Sequence, residues 1–523
     1  MSTLIFIVTS LIFLTAYFSY GKFLSKTLGI DAKRKTPADT AYDGVDYVPA
    51  RNSFILFGHH FASIAGAGPI VGPVFAYIYW GWLGALIWIV FGSIFIGAVH
   101  DFVSLFISVR EGGATIGQIA EKYISRRASI VFLIFLWLAL ILVIAVFAKF
   151  CASSFISEPK IVFPSLGLIP VAIIVGFLIY QKKVNIFAAT VVGLIMLTFL
   201  IILGNSFPLV ITGGNAYIIW LVILFIYSFF ASIFPVNVLL QPRDYISSFL
   251  LFFGIAVAFV GIVLKPLPLA PSQVFKFSSP IGPIFPMMFI TVACGAISGF
   301  HSLVSSGTTS KQLAKETDIQ KIGYGAMLLE GLLAVIALIC VAFGLRSIPQ
   351  GEPNVIAMFA QGFGRIVFFL GDYAKFIALV IVNAFILTTL DTATRITRFL
   401  TQELTGIENK YLTTGIVIAV AGYFCISGSF QLLWPMFGAS NQLVAGLALL
   451  VASSYLLKQG RNYKITLIPA IAMFIITFVA LSVKAQQFFK TGNYLLFSLS
   501  IVLTLLGLFI IYEFIKRKKE YAK

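Results

Sequence analysis

Two of the chain's four histidines occupy matching places in a repeated pattern, and they set the first chemical expectation. Residues 58–68 read GHHFASIAGAG and residues 299–309 read GFHSLVSSGTT. Both contain Gly-x-His-x5-Gly, so that Gly58, His60 and Gly66 answer to Gly299, His301 and Gly307, 241 residues later. Imidazole titrates near physiological pH, which suits His60 and His301 to carrying a proton or donating to a ligand. His59 points about 100° away from His60 on a helix, so one can act while the other pins the backbone. The stretch SIAGAGPIVGP (63–73) packs three glycines and two prolines into one apolar run, where continuous helix is costly. Unwound backbone around Ala65, Gly66 and Gly68 would offer carbonyl and amide groups to an ion or polar solute. A half-helix restarting with Pro69 in its first turn would turn a positive end toward an anion. Ser305, Ser306, Thr308 and Thr309 follow His301; they are expected either to bind substrate or ion, or to cap the next half-helix.

Ionisable groups inside apolar runs are costly and are therefore candidates for function. His100 and Asp101 are adjacent late in one such run, Glu330 lies in MLLEGLLA, and Asp391 lies in LTTLDTATRITR. With His60 and His301, these are the expected proton-coupling groups. The plainer alternatives are a boundary role for His100–Asp101 and an i,i+4 pair between Asp391 and Arg395. There is no Walker loop, zinc signature or nucleophile elbow, and GAGPIVG follows no strand, so no catalytic site, metal site or cofactor is expected. Cys151, Cys294, Cys340 and Cys425 are scattered and form no C-x-x-C pair.

The elements that would position these residues are membrane helices. Of 523 residues, 60% are hydrophobic and 11% charged, with a mean hydropathy of +1.02, against about 25% charged in soluble domains. Apolar runs near 20 residues match the hydrocarbon core of a bilayer, and period-2 alternation is absent, so the fold class is all-α polytopic. Spans are expected near 3–20, 53–79, 81–108, 128–152, 162–180, 184–204, 217–240, 245–265, 283–308, 324–345, 373–396, 411–427, 432–457, 465–484 and 493–515, about 15 transmembrane helices. The N-terminal run has no basic leader or small-residue cleavage site and reads as a retained helix. The net charge of +17 is better explained by basic loops on one side of a membrane than by nucleic acid. Segments 21–52, 109–127, 181–183, 241–244, 309–323, 395–410, 458–464 and 516–523 hold 27 of the 36 Lys and Arg, which places the N-terminus outside and the C-terminus in the cytoplasm.

Around each histidine motif the pattern is one span, a second span, an amphipathic segment, then three more spans. This divides the chain into a leading helix and basic loop (1–52), a first five-helix unit (53–204), two inserted helices (205–282), a second five-helix unit (283–457), and two trailing helices with a basic tail (458–523). An odd-numbered unit repeated after an odd number of crossings is inverted, and the interrupted first helices of the two units would meet near mid-bilayer.

The stretch DYVPARNSFILFGHHFASIAGAGPIVGPVFAYIYWGW, continuing to residue 124, together with SGFHSLVSSGTTSKQL (298–313), resembles the two signature regions of the carbon starvation protein A family, over roughly 20–460. The resemblance implies an inner-membrane secondary transporter, linked to peptide uptake in carbon starvation and to pyruvate uptake, with protons as the driving ion. It also implies kinship with the amino acid–polyamine–organocation superfamily and a LeuT-like five-plus-five inverted-repeat core. In that superfamily the third helix of the second repeat often supplies hydroxyls to a sodium site, which would here be Thr388 and Thr389 with carbonyls near Ala65. Sodium coupling of amino acid or related solute uptake is thus one alternative; a channel or nutrient sensor is another. A channel needs a continuous pore and a sensor usually carries a soluble output domain.

Overall fold

A computed structural model describes residues 1–269, 274–345, 347–348, 354–427 and 430–521. The expected segments 205–282, 283–457 and 458–523 each take in a few residues outside that set. Among the described residues, twelve helices are long and apolar enough to cross a membrane. A thirteenth span is the bent pair Ser53–Ile64 and Gly68–Trp80, whose halves meet at 41°. Every expected span coincides with helix. The two remaining places are Lys410–Ser427 and a segment broken into Ile284–Thr291, Ala293–Ala296 and Gly299–Gly307. The two amphipathic segments form the short helices Ile116–Tyr123 and Val355–Ile366.

Local chemistry accounts for both interruptions. Asn52 starts the first helix, its side chain accepting from the Ile55 amide at 2.8 Å. Ala65 leaves the helix (φ −75°, ψ 60°), and the chain re-enters it at Gly68 with proline in the first turn. In the second segment Ile297 and Ser298 are extended. Twelve helical residues precede the first interruption, and eight plus four precede the second. His60 therefore lies before its interruption and His301 after its own. The interruptions, rather than the Gly-x-His-x5-Gly motifs, occupy matching places in their spans.

The interrupted segments pack against each other and are enclosed by other helices. Ser53–Ile64 packs on Leu240–Leu264, Gly68–Trp80 on Ala326–Gly344, and Gly299–Gly307 on Ala98–Arg110 and Phe430–Lys458. The close crossing depends on Gly68 and Gly72, spaced i,i+4. A Cβ on Gly72 would fall 2.7 Å from the Thr291 carbonyl, and one on Gly68 2.6 Å from Cys294 Sγ. Small residues at this spacing let helix backbones approach in lipid.

Two features expected to be cytoplasmic loop are buried helix instead. Residues 241–244 belong to Leu240–Leu264, and the span from Tyr373 continues to Thr405, enclosing Arg395 and Arg398. These charges are tolerated because each is paired: Arg243 with Asp244 and Asp391, Arg395 and Arg398 with Asp46.

Candidate functional site

The restart of the second broken segment is held from outside its own helix. Asn441 Oδ1 accepts from the Phe300 amide at 3.1 Å, and Asn441 Nδ2 donates to Ser298 Oγ at 3.0 Å. A side chain distant in sequence thus satisfies an amide that the break leaves without a helical partner.

Two buried polar networks flank the interruptions. In the first, the Asp101 carboxylate meets His100 Nδ1 at 2.8 Å and His301 Nδ1 at 2.9 Å, while His301 Nε2 lies 3.3 Å from Glu330 Oε2. All four side chains are fully buried. Among the described residues, His100 Nε2 has no hydrogen-bond partner, and His301 Nε2 and the Glu330 oxygens have none beyond their mutual ion pair. Wide π-type turns at Ser93–Gly97 and Gln320–Gly325 lead into the helices that carry Asp101 and Glu330.

In the second network, His59 Nδ1 meets Asp244 Oδ2 at 2.6 Å, and its Nε2 lies 3.1 Å from Gln312 Nε2. Gln241 donates to Gln312 Oε1 at 2.8 Å, which turns the Gln312 amide nitrogen toward His59 as the donor. His59 therefore fits the tautomer that donates from Nδ1 and accepts at Nε2. Arg243 bridges Asp244 and Asp391 and contacts the Tyr227 hydroxyl, which itself donates to Asp391 Oδ2 at 2.5 Å. Asp391 thus pairs across the fold with Arg243, and the alternative i,i+4 pair with Arg395 is not formed. Arg395 instead reaches Asp46 of the 21–52 segment, a carboxylate that it shares with Arg398.

Between the networks, His60 Nδ1 meets Thr309 Oγ1 at 2.8 Å, and its Nε2 has no hydrogen-bond partner among the described residues. The adjacent histidines thus divide the roles: both ring nitrogens of His59 are engaged, one of His60 is not. Thr388 donates to the Ala62 carbonyl at 2.7 Å. Thr389 Oγ1 is buried without a hydrogen-bond partner among the described residues, where a Cβ on Gly66 would lie 2.9 Å from it. Thr308 donates back to Val304, and Ser306 donates to Ser302 while accepting from the Ile116 amide, so these two hydroxyls serve backbone. Ser305 Oγ is buried without a hydrogen-bond partner among the described residues.

At the membrane edge, burial raises the Asp46 carboxyl, but Arg395, Arg398 and Lys311 outweigh it and hold it below the usual carboxylate range. Burial pushes the neighbouring Lys311 ammonium down to about 8. The Lys311 ammonium lies 3.7 Å from the centre of the Phe399 ring.

A cavity of about 290 Å³ opens beside the crossing of the broken segments. Ala67, Gly68, Phe147, Cys294, Asn441 and Lys484 are among its walls. Of the residues expected from the sequence to bind substrate or ion, only Gly68 lines it; the histidines and hydroxyls lie elsewhere. Asp244, Arg243, Tyr227, Gln312, Asn441 and Lys484 escaped the sequence reading. The charges in QPRDY were visible but looked like a loop between two spans, and neither the Asn in Phe430–Lys458 nor the Lys in the trailing helix Lys464–Lys490 carries a local signal.

Among the described residues no group of three or more His, Cys, Asp or Glu is placed to hold a metal ion. A crystal structure of the Eremococcus coleocola manganese transporter, in complex with an aromatic bis-isothiourea substituted compound, superposes with a TM-score of 0.52 over 92% of this chain and 99% of that one. At 14% identity the likeness is one of fold. The chain is 34% identical to the Campylobacter jejuni peptide transporter CstA, over 89% of this chain and 78% of that protein. It is 31% identical to the Escherichia coli pyruvate/proton symporter BtsT, over 90% of this chain and 80% of that protein. The family model described as carbon starvation protein CstA matches residues 1–349 and 349–480. The chain is a multi-pass membrane transporter, not an enzyme, and it belongs to the carbon starvation protein CstA family.

Proposed function

We propose that the protein imports a small carboxylate-bearing nutrient, pyruvate or a short peptide, across the inner membrane with protons as the coupling ion and no other cofactor. The observation that carries the reading is the sealed cluster of Asp101, His301, Glu330 and His100 beside the second interruption. With both carboxylates ionised and both imidazoles neutral, the cluster bears two negative charges away from water. Such charge is costly in a low-dielectric interior, so each proton accepted relieves it. His60 Nε2, without a hydrogen-bond partner among the described residues, and His301 Nε2, beside Glu330, offer further proton positions. The names of the two relatives support a peptide or pyruvate substrate. Alternating access would follow from two inverted five-helix halves moving about the crossing of the broken segments, with the N-terminus outside and the C-terminus cytoplasmic.

The test is uptake of radiolabelled pyruvate and dipeptides by proteoliposomes under an imposed pH gradient. Uptake is expected to follow the gradient in wild type and to be lost in H60A and H301A, with both variants still monodisperse. Indifference to the gradient removes the proton claim, and unchanged uptake by both variants reduces the histidines to structural residues. One observation favours a second reading, sodium coupling: the unpartnered Thr389 hydroxyl beside Gly66 at the first interruption. Uptake that follows a sodium gradient and fails in T389A would replace the first reading with this one.

A further inference from the structure

The cavity beside the broken helices has a charge pattern that specifies its ligand more narrowly than the fold does. Among the described residues, its walls contain one cation, Lys484, and no acidic residue. Lys484 belongs to the trailing helix Lys464–Lys490, outside both five-helix units, so it was no part of the expected site. Its ammonium donates to Gln487 Oε1 at 3.2 Å, and among the described residues no carboxylate pairs with it. The remaining walls are mostly apolar, including the rings of Phe75, Tyr79 and Phe147. Asn441, the other strongly polar wall group, is already committed to Ser298 and Phe300.

We propose that this cavity is a binding site for a small monocarboxylate that lacks an ammonium group, with Lys484 as its counter-ion. The inference deepens the reading above and rests on it. A lysine facing a mostly apolar cavity without a protein carboxylate gains most from an anionic ligand, through a charge-assisted hydrogen bond. A zwitterion would also have to place its ammonium in a cavity whose only charged wall group among the described residues is itself a cation. A like-charge contact of that kind is how sites reject a close analogue. The volume, about 290 Å³, lies at the small end of ligand pockets, which run from roughly 300 to 1,000 Å³, and suits a ligand of few carbons.

The experiment is proteoliposome uptake by the full chain, in wild type, K484Q and K484R, with pyruvate, alanine and alanylalanine as probes. Pyruvate and alanine are matched in size and differ in the ammonium group. In wild type, pyruvate is expected to be taken up and alanine to compete poorly. K484Q is expected to raise the KM for pyruvate about tenfold or more, and K484R, which keeps the cation, about threefold or less. A KM in monodisperse K484Q within about twofold of wild type overturns the proposal. So does alanine competing as well as pyruvate, a wild-type measurement that stands even where K484Q does not fold. Uptake of alanylalanine without pyruvate overturns the assignment while leaving carboxylate import intact. Uptake of no carboxylate at all by wild type removes the broader reading and the assignment together.

Discussion

The crossing of the two broken segments can be tested by moving one methyl group from one side to the other. Gly68→Ala adds a Cβ that falls 2.6 Å from Cys294 Sγ and closer still to Cys294 Cβ, whereas ordinary contact begins at 3.4 Å. The backbones must therefore separate by about 0.8 Å or more, and because Cys294 Cβ is fixed to the chain, no rotamer relieves the clash. Overpacking of this kind costs about 1–3 kcal/mol, and the rigid partner puts G68A near 3 kcal/mol, several degrees in apparent Tm. Cys294→Gly empties the facing position at about 1 kcal/mol, the cost of glycine in a helix. The double variant G68A/C294G should then lose about 1.5 kcal/mol or more less than the sum of the two single changes. G68A/C294A is the control, because alanine keeps the Cβ that causes most of the clash and should recover little. The assay is size-exclusion of detergent-solubilised protein after heating, run on all four variants beside wild type. Strict additivity in G68A/C294G, or equal recovery with C294A and C294G, would show that these two positions do not meet.

Two further outcomes are expected. Arg243→Gln leaves Asp244 and Asp391 without their shared cation and should cost about 3–5 kcal/mol, with R243Q/D391N more stable than R243Q alone; heat stability of R243Q equal to wild type would refute the pairing. Because burial holds Lys311 near 8 in the folded chain, below its ordinary 10.5, the unfolded chain binds the extra proton between these values, and stability should rise with pH across that window. Apparent Tm measured from pH 7.5 to 10.5 should rise more in wild type than in K311M, and matching slopes would remove the effect.

Much of the fold was legible in the chain because lipid imposes a severe rule: a backbone crossing it must satisfy its own hydrogen bonds over about 20 apolar residues. That rule marked the membrane-crossing helices, and the local chemistry of glycine and proline in SIAGAGPIVGP marked the first interruption where Ala65 leaves the helix. The second interruption was placed less well. Ile297 and Ser298 break the helix at the very start of SGFHSLVSSGTTSKQL, at a point where Asn441 from another helix supplies the missing hydrogen bond.

The polar partners were legible as residues but not as pairs. His59, His60, His100, Asp101, His301, Glu330 and Asp391 stood out because an ionisable group in an apolar run is conspicuous. Asp101 meets His301 across 200 positions and His59 meets Asp244 across 185, separations that hydropathy cannot bridge. Arg243 read as a loop charge because pairing is what makes its burial affordable, and pairing exists only after the helices assemble. Local sequence determined where the chain crosses the bilayer and where it cannot stay helical, since both follow from each residue's own solvation and backbone chemistry. Tertiary packing alone decided which buried charges neutralise one another and which cation, Lys484, was left facing a cavity, since electrostatic energy depends on distance in space.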